Sequence, residues 1–411
     1  MAILPVFCCG FECGLFGAVG QHWATGGSGS APTFITSGHR SGLRAARFIG
    51  AAGLTSYVDT LALASSTRWV GRFYVYFNVI NSGSPFIASI GSAGPRIYLV
   101  GAESKLYSAV NTAIGGNGIT VTTGVWYCID FDFNINTGGN DTCDIKVNGV
   151  STGQATGVGD SAGTTTLRLG AQTSDSGDFV IDDVIISHTA ADYPLGGGYV
   201  LSYIPNADGT HNVASANDFE RFEGGVDTGT DIINSTTTAW QLVDKRPLTT
   251  TIGDAIAMEA PPNTTDFVEV LPEDSVESAG PRAVEVIAAI HQAGTGEGNM
   301  AITLVGAFTH LSTIYSATTV AGSTSIVFKR EQFPHSPPSS GGPPWVIGGG
   351  GQGDFNSITV RFGSPVALDV NPDQYLDGLM IEAEYAEVIV IYRELSISPP
   401  PYLQVTRVVA Y

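Results

Sequence analysis

The sequence predicts an all-β protein of two β-sandwich or jelly-roll units with extended terminal arms. The first sign is composition: only 14% of residues are charged, and 52 of 411 are glycine. Charge is usually nearer a quarter, so the balance is that of a turn-rich sheet protein. The second is alternation in Val125–Phe133, where Val125, Tyr127, Ile129, Phe131 and Phe133 share one face and Trp126, Cys128, Asp130 and Asp132 the other. Period-2 patterning is the mark of a half-buried strand. The third is the Gly-Gly-Asn turn at 138–140, which sends the chain back as Asp141–Gly149. At this length one core does not suffice, and two domains are expected.

Taken in order, residues 1–192 read as one sandwich. Apolar Met1–Phe7 lacks the basic leader of a signal peptide, and Cys9–Cys13 continues it as a first strand. Gly42–Phe48 and Tyr57–Leu63 follow. In Arg72–Asn78, Phe73, Val75 and Phe77 oppose Arg72, Tyr74 and Tyr76. Phe86–Ile90, Ile97–Val100 and Leu106–Val110 are short strands parted by Gly, Ser and Pro. The hairpin, Leu167–Ala171 and Asp178–Ser187 complete the unit. A linker over 193–212 is marked by Pro194 and Gly196–Gly198, glycines that free the chain. In the second unit, 213–395, the strands expected are Asp266–Leu271, Pro281–His291, Met300–Leu304, Ser325–Phe328, Ile358–Phe362 and Gly378–Val390. Arg282–Ile290 has a helical alternative, but Val and Ile dominate it and Pro281 precedes it. Asn217–Phe222 and Gly253–Glu259 read as short helices. Gln332–Gly353, rich in Pro and Gly, reads as a long exposed loop. In the arm 396–411 a Pro399–Pro401 spacer precedes Tyr402, Leu403, Val405 and Val408, an apolar strand suited to pairing with a neighbouring subunit.

The net charge of −20 works against binding nucleic acid or an anionic membrane, and no apolar run approaches the roughly 18 residues of a membrane span. Solubility is its plain explanation. The sharper one is Ca²⁺ bound by Asp175, Asp178, Asp182 and Asp183, against turn-forming aspartates. No other cofactor is expected. The five cysteines are an odd number. Cys128 and Cys143 point to opposite faces by strand parity and should not bond. A zinc set from Cys8, Cys9 and Cys13 would need His22, and free buried thiols in a reducing cytoplasm suit them better.

The stretches Gly71–Val79, Gly124–Phe133, Cys143–Gly149, Thr166–Gly170 and Phe179–Ser187, in that order, resemble the laminin-G-like, concanavalin-A-like jelly roll. That superfold hosts lectins, glycosidases and inert modules, so the likeness implies fold alone. A second set resembles structural proteins of tailed bacteriophages: Cys9–Glu12, Tyr193–Val200, Asn206–Asn212, Thr238–Asp244, Phe267–Val270, Pro281–Val284 and Pro372–Tyr385. This resemblance implies a non-enzymatic virion surface component, a capsid decoration or a tail or fibre protein. It would be made in the host bacterial cytoplasm, as a homo-oligomer contacting other virion proteins. The alternative is a tail adhesin for host surface glycans, with Trp23, Trp126, Tyr74 and Tyr76, alongside Trp69, as a stacking platform. Core or interface packing is the plainer role for such aromatics. The enzyme alternative is a glycosidase of the host envelope. Asp130 and Asp132 lack the third carboxylate of a jelly-roll glucanase strand, and the nearest match is Glu382, Glu384 and Glu387. Glu387 falls on the opposite face without a bulge, which favours solvated outer-face glutamates.

Overall fold

The structure, a computed structural model, describes residues 5–387 except for 15, 17–22, 52–53, 61, 92–93, 137–138, 160–163, 173–176, 212–218, 224–225, 233–238, 246–247, 249–251, 259–265, 293–300, 306–310, 316–325, 334–343, 349–352 and 364–373. The arm residues Tyr402, Leu403, Val405 and Val408 lie outside the described residues, as do Asp175 and His22. The chain is nearly all β, in antiparallel sheets that form two sandwiches.

In the first sandwich a nine-stranded sheet runs Val150–Ser151, Asp141–Val147, Trp126–Asn134, Arg68–Ile80, Gly177–Ser187, Ala45–Gly50, Thr33–Ile35. Pro5–Cys9 adds to Gly177–Ser187, and Ala155–Gly157 to Asp141–Val147. The expected alternation decides which face is inward. Ile129, Phe131, Phe133, Phe73 and Phe77 enter one core, where they meet Leu99, Leu106 and Leu169 of the facing eight-stranded sheet. Each buried aromatic or aliphatic side chain of this kind contributes about 1.5–3 kcal/mol.

The second sandwich pairs a seven-stranded sheet, centred on Gln374–Ala386 and Ala283–Gln292, with a five-stranded one centred on Phe267–Pro272 and Thr359–Gly363. Val284, Val286 and Ile290 pack against Val268, Val360 and Phe362. Ala283–Gln292 is a strand, as its β-branched content predicts. The two short helices expected are strands instead, Phe219–Glu223 and Ala255–Met258, since Phe219, Ile256 and Met258 are needed in the sheet core. Among the described residues of this unit, Trp240–Val243 forms an α-helix and Phe355–Ser357 a 3-10 turn. Trp345, in the loop read as exposed, is buried against Phe355.

Candidate functional site

The polar chemistry of the chain gathers where the outer face of the nine-stranded sheet meets the outer face of the seven-stranded one. Sequence parity puts Arg72 and Tyr74 outward on the Arg68–Ile80 strand, since Phe73 and Val75 face the core. On the Gln374–Ala386 strand Ile381 and Ala383 face inward, which sends Glu382 and Glu384 outward. Those outer faces do not meet water. Arg72, Glu382 and Glu384 are all 0% exposed, which corrects the expectation of solvated glutamates.

Arg72 Nη1 lies 2.8 Å from Glu384 Oε1, and Arg282 reaches both carboxylate oxygens, its Nε donating to Oε2 at 2.7 Å. Arg282 also donates to the Leu195 carbonyl at 2.9 Å. A charge so far from water persists only when paired and hydrogen-bonded. Gly198 sits at the centre. A Cβ there would collide with Arg72, Glu384 and Arg282 together, and Gly196 adopts φ +69°. The glycine run read as freeing the chain therefore lets three charged groups converge on the backbone.

A β-bulge supplies the second half of the junction. Gly177–Ser187 shifts register between Asp182 and Ile185, and Asp183 has φ +53°. The extra residue places Asp182 and Asp183 together in the junction, while Phe179, Ile181, Val184 and Ile186 stay in the core. Asp182 accepts from the backbone N–H of Arg40 at 2.8 Å and of Asp183 at 2.8 Å. Asp183 accepts from the Val200 N–H at 2.7 Å and pairs with Arg40 Nη1 at 2.7 Å. Burial first, and then the neighbouring Asp183, push Asp182 well above the ordinary carboxylate range.

Gly198–Tyr203 pairs with Gln374–Ala386 on one edge. At the opposite edge, first-sandwich side chains stand in for a neighbouring strand. Tyr74 Oη accepts from the Gly198 N–H at 3.1 Å, Arg40 donates to the Gly198 carbonyl at 2.8 Å, and Ser41 donates to the Val200 carbonyl at 3.1 Å. Asp130 accepts from the Gly196 N–H at 2.9 Å. Backbone groups of a buried edge must be satisfied, and here side chains do it. A cleft of about 480 Å³ opens beside this edge, lined by Leu43 from the first sandwich and Leu201, Tyr203, Glu273 and Val276 from the second.

These contacts correct several expectations. Asp182 and Asp183 give their oxygens to protein donors, and Asp178 is held bidentately by Arg47 and by Asn78 at 2.9 Å. Among the described residues no group of three or more acidic, His or Cys side chains could hold a metal ion. Trp23 is 1% exposed, wedged between Phe7 and Phe11. Trp69 is buried against His188. Tyr74 is 2% exposed, with the Arg40 guanidinium 3.4 Å above its ring. Of the expected sugar platform, Trp126 and Tyr76 remain partly exposed, paired across strands at 5.4 Å and 51°. All five cysteines are free and buried. Cys8 and Cys9, adjacent in a strand, enter different clusters, which sets Cys8 apart, while Cys9 and Cys13 remain in side-chain contact. The Arg72–Glu384–Arg282 cluster escaped sequence reading because its members lie 312 and 102 residues apart. The glycine run beside it was the available signal.

No family model matches the chain, and no curated protein matches it. Among solved structures it is similar to an endo-β-1,4-glucuronan lyase from the fungus Trichoderma reesei, at TM-score 0.33 and 14% identity over 46% of this chain and 98% of that one. It is also similar to a carbohydrate esterase from the Shiga toxin-encoding bacteriophage phi24B, at TM-score 0.29 and 12% identity over 40% and 89%. A third is the receptor-binding domain of botulinum neurotoxin type G, at TM-score 0.29 and 10% identity over 75% and 76%. These likenesses are weak, and no activity or ligand is transferred from them.

Proposed function

We propose that the chain is a non-enzymatic structural component of a tailed-phage virion surface, a capsid decoration or tail or fibre protein, assembling with copies of itself and with other virion proteins. The observation that carries the reading is the use to which buried charge is put. Arg72 pairs with Glu384 across the junction, and Arg40 and Asp183 bond to Gly198 and Val200 across it, while Asp182 and Arg282 hold Arg40 and Glu384 in place, as suits a part that keeps its shape under load. The phage-like stretches Tyr193–Val200, Pro281–Val284 and Pro372–Tyr385 carry residues of this junction. Glu382 and Glu384, the residues nearest to a glucanase pattern, are sealed inside it, out of reach of a polysaccharide. Electron microscopy of intact particles labelled with a Fab against this chain tests the proposal. Regular labelling at a fixed copy number is expected, and particles that lack the chain would overturn it.

The second reading, an adhesin for host surface glycans, is favoured by Trp126 and Tyr76, whose partly exposed rings offer a stacking surface. Retention of the purified protein on host cells, abolished by Trp126→Ala, is its expected signature. Equal retention of wild type and variant would remove it.

A further inference from the structure

Glu285 and Glu382 are directly paired across the ladder between Ala283–Gln292 and Gln374–Ala386, and they are 3% and 0% exposed. The first sandwich covers them with Pro5–Cys9 and the turn that follows. Both carboxyls act on the Cys8 thiol, and its sulfur accepts from Gln332 Nε2 at 3.7 Å. Glu12 and Cys13 from the turn act on Glu382. Val327–Phe333 contributes Arg330, 3.8 Å from Glu285, and Gln332, which bonds to Glu285. Two residues along the Gln374–Ala386 strand, Glu384 holds Arg72 and Arg282. Amid these groups both carboxylate oxygens of Glu382 are buried without a hydrogen-bond partner among the described residues. Such a group is sustained as the neutral acid, because the charged form would have neither water nor donors around it.

We propose that the junction is a proton-held joint: Glu285 and Glu382 close it as neutral acids, and loss of their protons releases the strand Pro5–Cys9 from the second sandwich. The inference stands on the junction itself and is independent of the virion reading. Burial pushes Glu285 up to about 8, against the partial counter-effect of Arg330. Burial first, and then Cys13 and Glu285, push Glu382 well above the ordinary value of 4.5. Once the joint opens and water enters, both groups return toward that ordinary value, so opening releases protons. Closure is therefore fully favoured below about 4.5 and weakens as pH rises toward about 8 and beyond. By linkage the opening constant grows up to about tenfold per pH unit for each carboxyl.

Hydrogen–deuterium exchange of a peptide covering 195–201 in the full chain, whose Gly196, Gly198 and Val200 amides bond to first-sandwich side chains across the junction, corrected for intrinsic exchange, tests the joint. From pH 6 to the value of about 8 to which Glu285 is raised, that group alone spans about two units of linkage, so protection should fall by about a hundredfold or more by pH 9. In Glu382→Gln, whose amide does not titrate, the slope should flatten by about one order of magnitude per pH unit. Protection independent of pH in wild type, or an unchanged slope in Glu382→Gln, would overturn the proposal. Should that variant fail to fold, infrared spectra of the wild type decide. A protonated-carboxyl carbonyl band should persist at neutral pH and vanish in step with opening, and its absence at neutral pH would overturn the proposal equally.

Discussion

Replacing Arg72 by methionine perturbs the junction where its chemistry is densest. Methionine keeps the length and apolar stem of the side chain and removes the guanidinium. Arg72 and Glu384 are both fully buried, so Glu384 cannot turn to water for compensation. It keeps Arg282, while the carbonyls of Gly196 and Asp183 lose the Arg72 donors at 3.3 and 3.4 Å. Removing one member of a buried ion pair costs about 3–5 kcal/mol, and the surviving Arg282 contact places this case near about 3 kcal/mol. Urea denaturation at neutral pH measures it. A double-mutant cycle with Glu384→Gln should return a coupling of about 1–3 kcal/mol. A loss below about 0.5 kcal/mol, the range of ordinary surface substitutions, would refute the reasoning, because a cluster severed at that cost is not holding the sandwiches together.

Gly198→Ala should destabilise by about 1–3 kcal/mol by driving a methyl into Arg72, Glu384 and Arg282, and a neutral result in the same assay would show that the three can part. Trp23→Ala should cost about 3–5 kcal/mol and Trp126→Ala far less, so equal losses would contradict their different burial. Burial pushes the thiols of Cys128 and Cys143 up to about 11 and about 12, so a disulfide reagent at pH about 8 should find few reactive thiols in the native chain and five after unfolding; rapid native labelling of Cys143 would contradict this. Burial raises Asp178, but its hydrogen bonds to Arg47 and Asn78 more than offset that and hold it below the ordinary 3.8. Its contribution is thus present above that value and lost as pH falls below it, so Arg47→Gln should flatten the acid limb of stability against pH, and an unaltered limb would dismiss the pairing.

The fold was legible because period-2 alternation is local. Val75, Phe77, Ile129 and Phe131 declare their inward face within a few residues, and the structure buries that face. The same alternation sent Arg72, Tyr74, Glu382 and Glu384 outward correctly, and then misled, since an outward face reads as solvent until a second sheet is known to cover it. Asp182 and Asp183 show a different limit. Two adjacent aspartates in a strand should straddle the sheet, and only a bulge, with Asp183 at positive φ, brings both into the junction. The glycines at 196–198 were noticed for freedom, whereas their close-packed surroundings come from charges more than a hundred residues away. Short-helix readings at 217–222, which rested on a capping pattern, and at 253–259 failed because such signals are local and the sheet's need for Phe219 and Ile256 is not.

The claim on which the rest depends is that buried charge makes the two sandwiches one body. Differential scanning calorimetry of the full chain at about pH 6, where the linkage argument has the joint closed, tests it most directly. One transition, with calorimetric and van't Hoff enthalpies in agreement, is predicted for the wild type, and a split into two for Arg72→Met. Two resolved transitions in the wild type would contradict it.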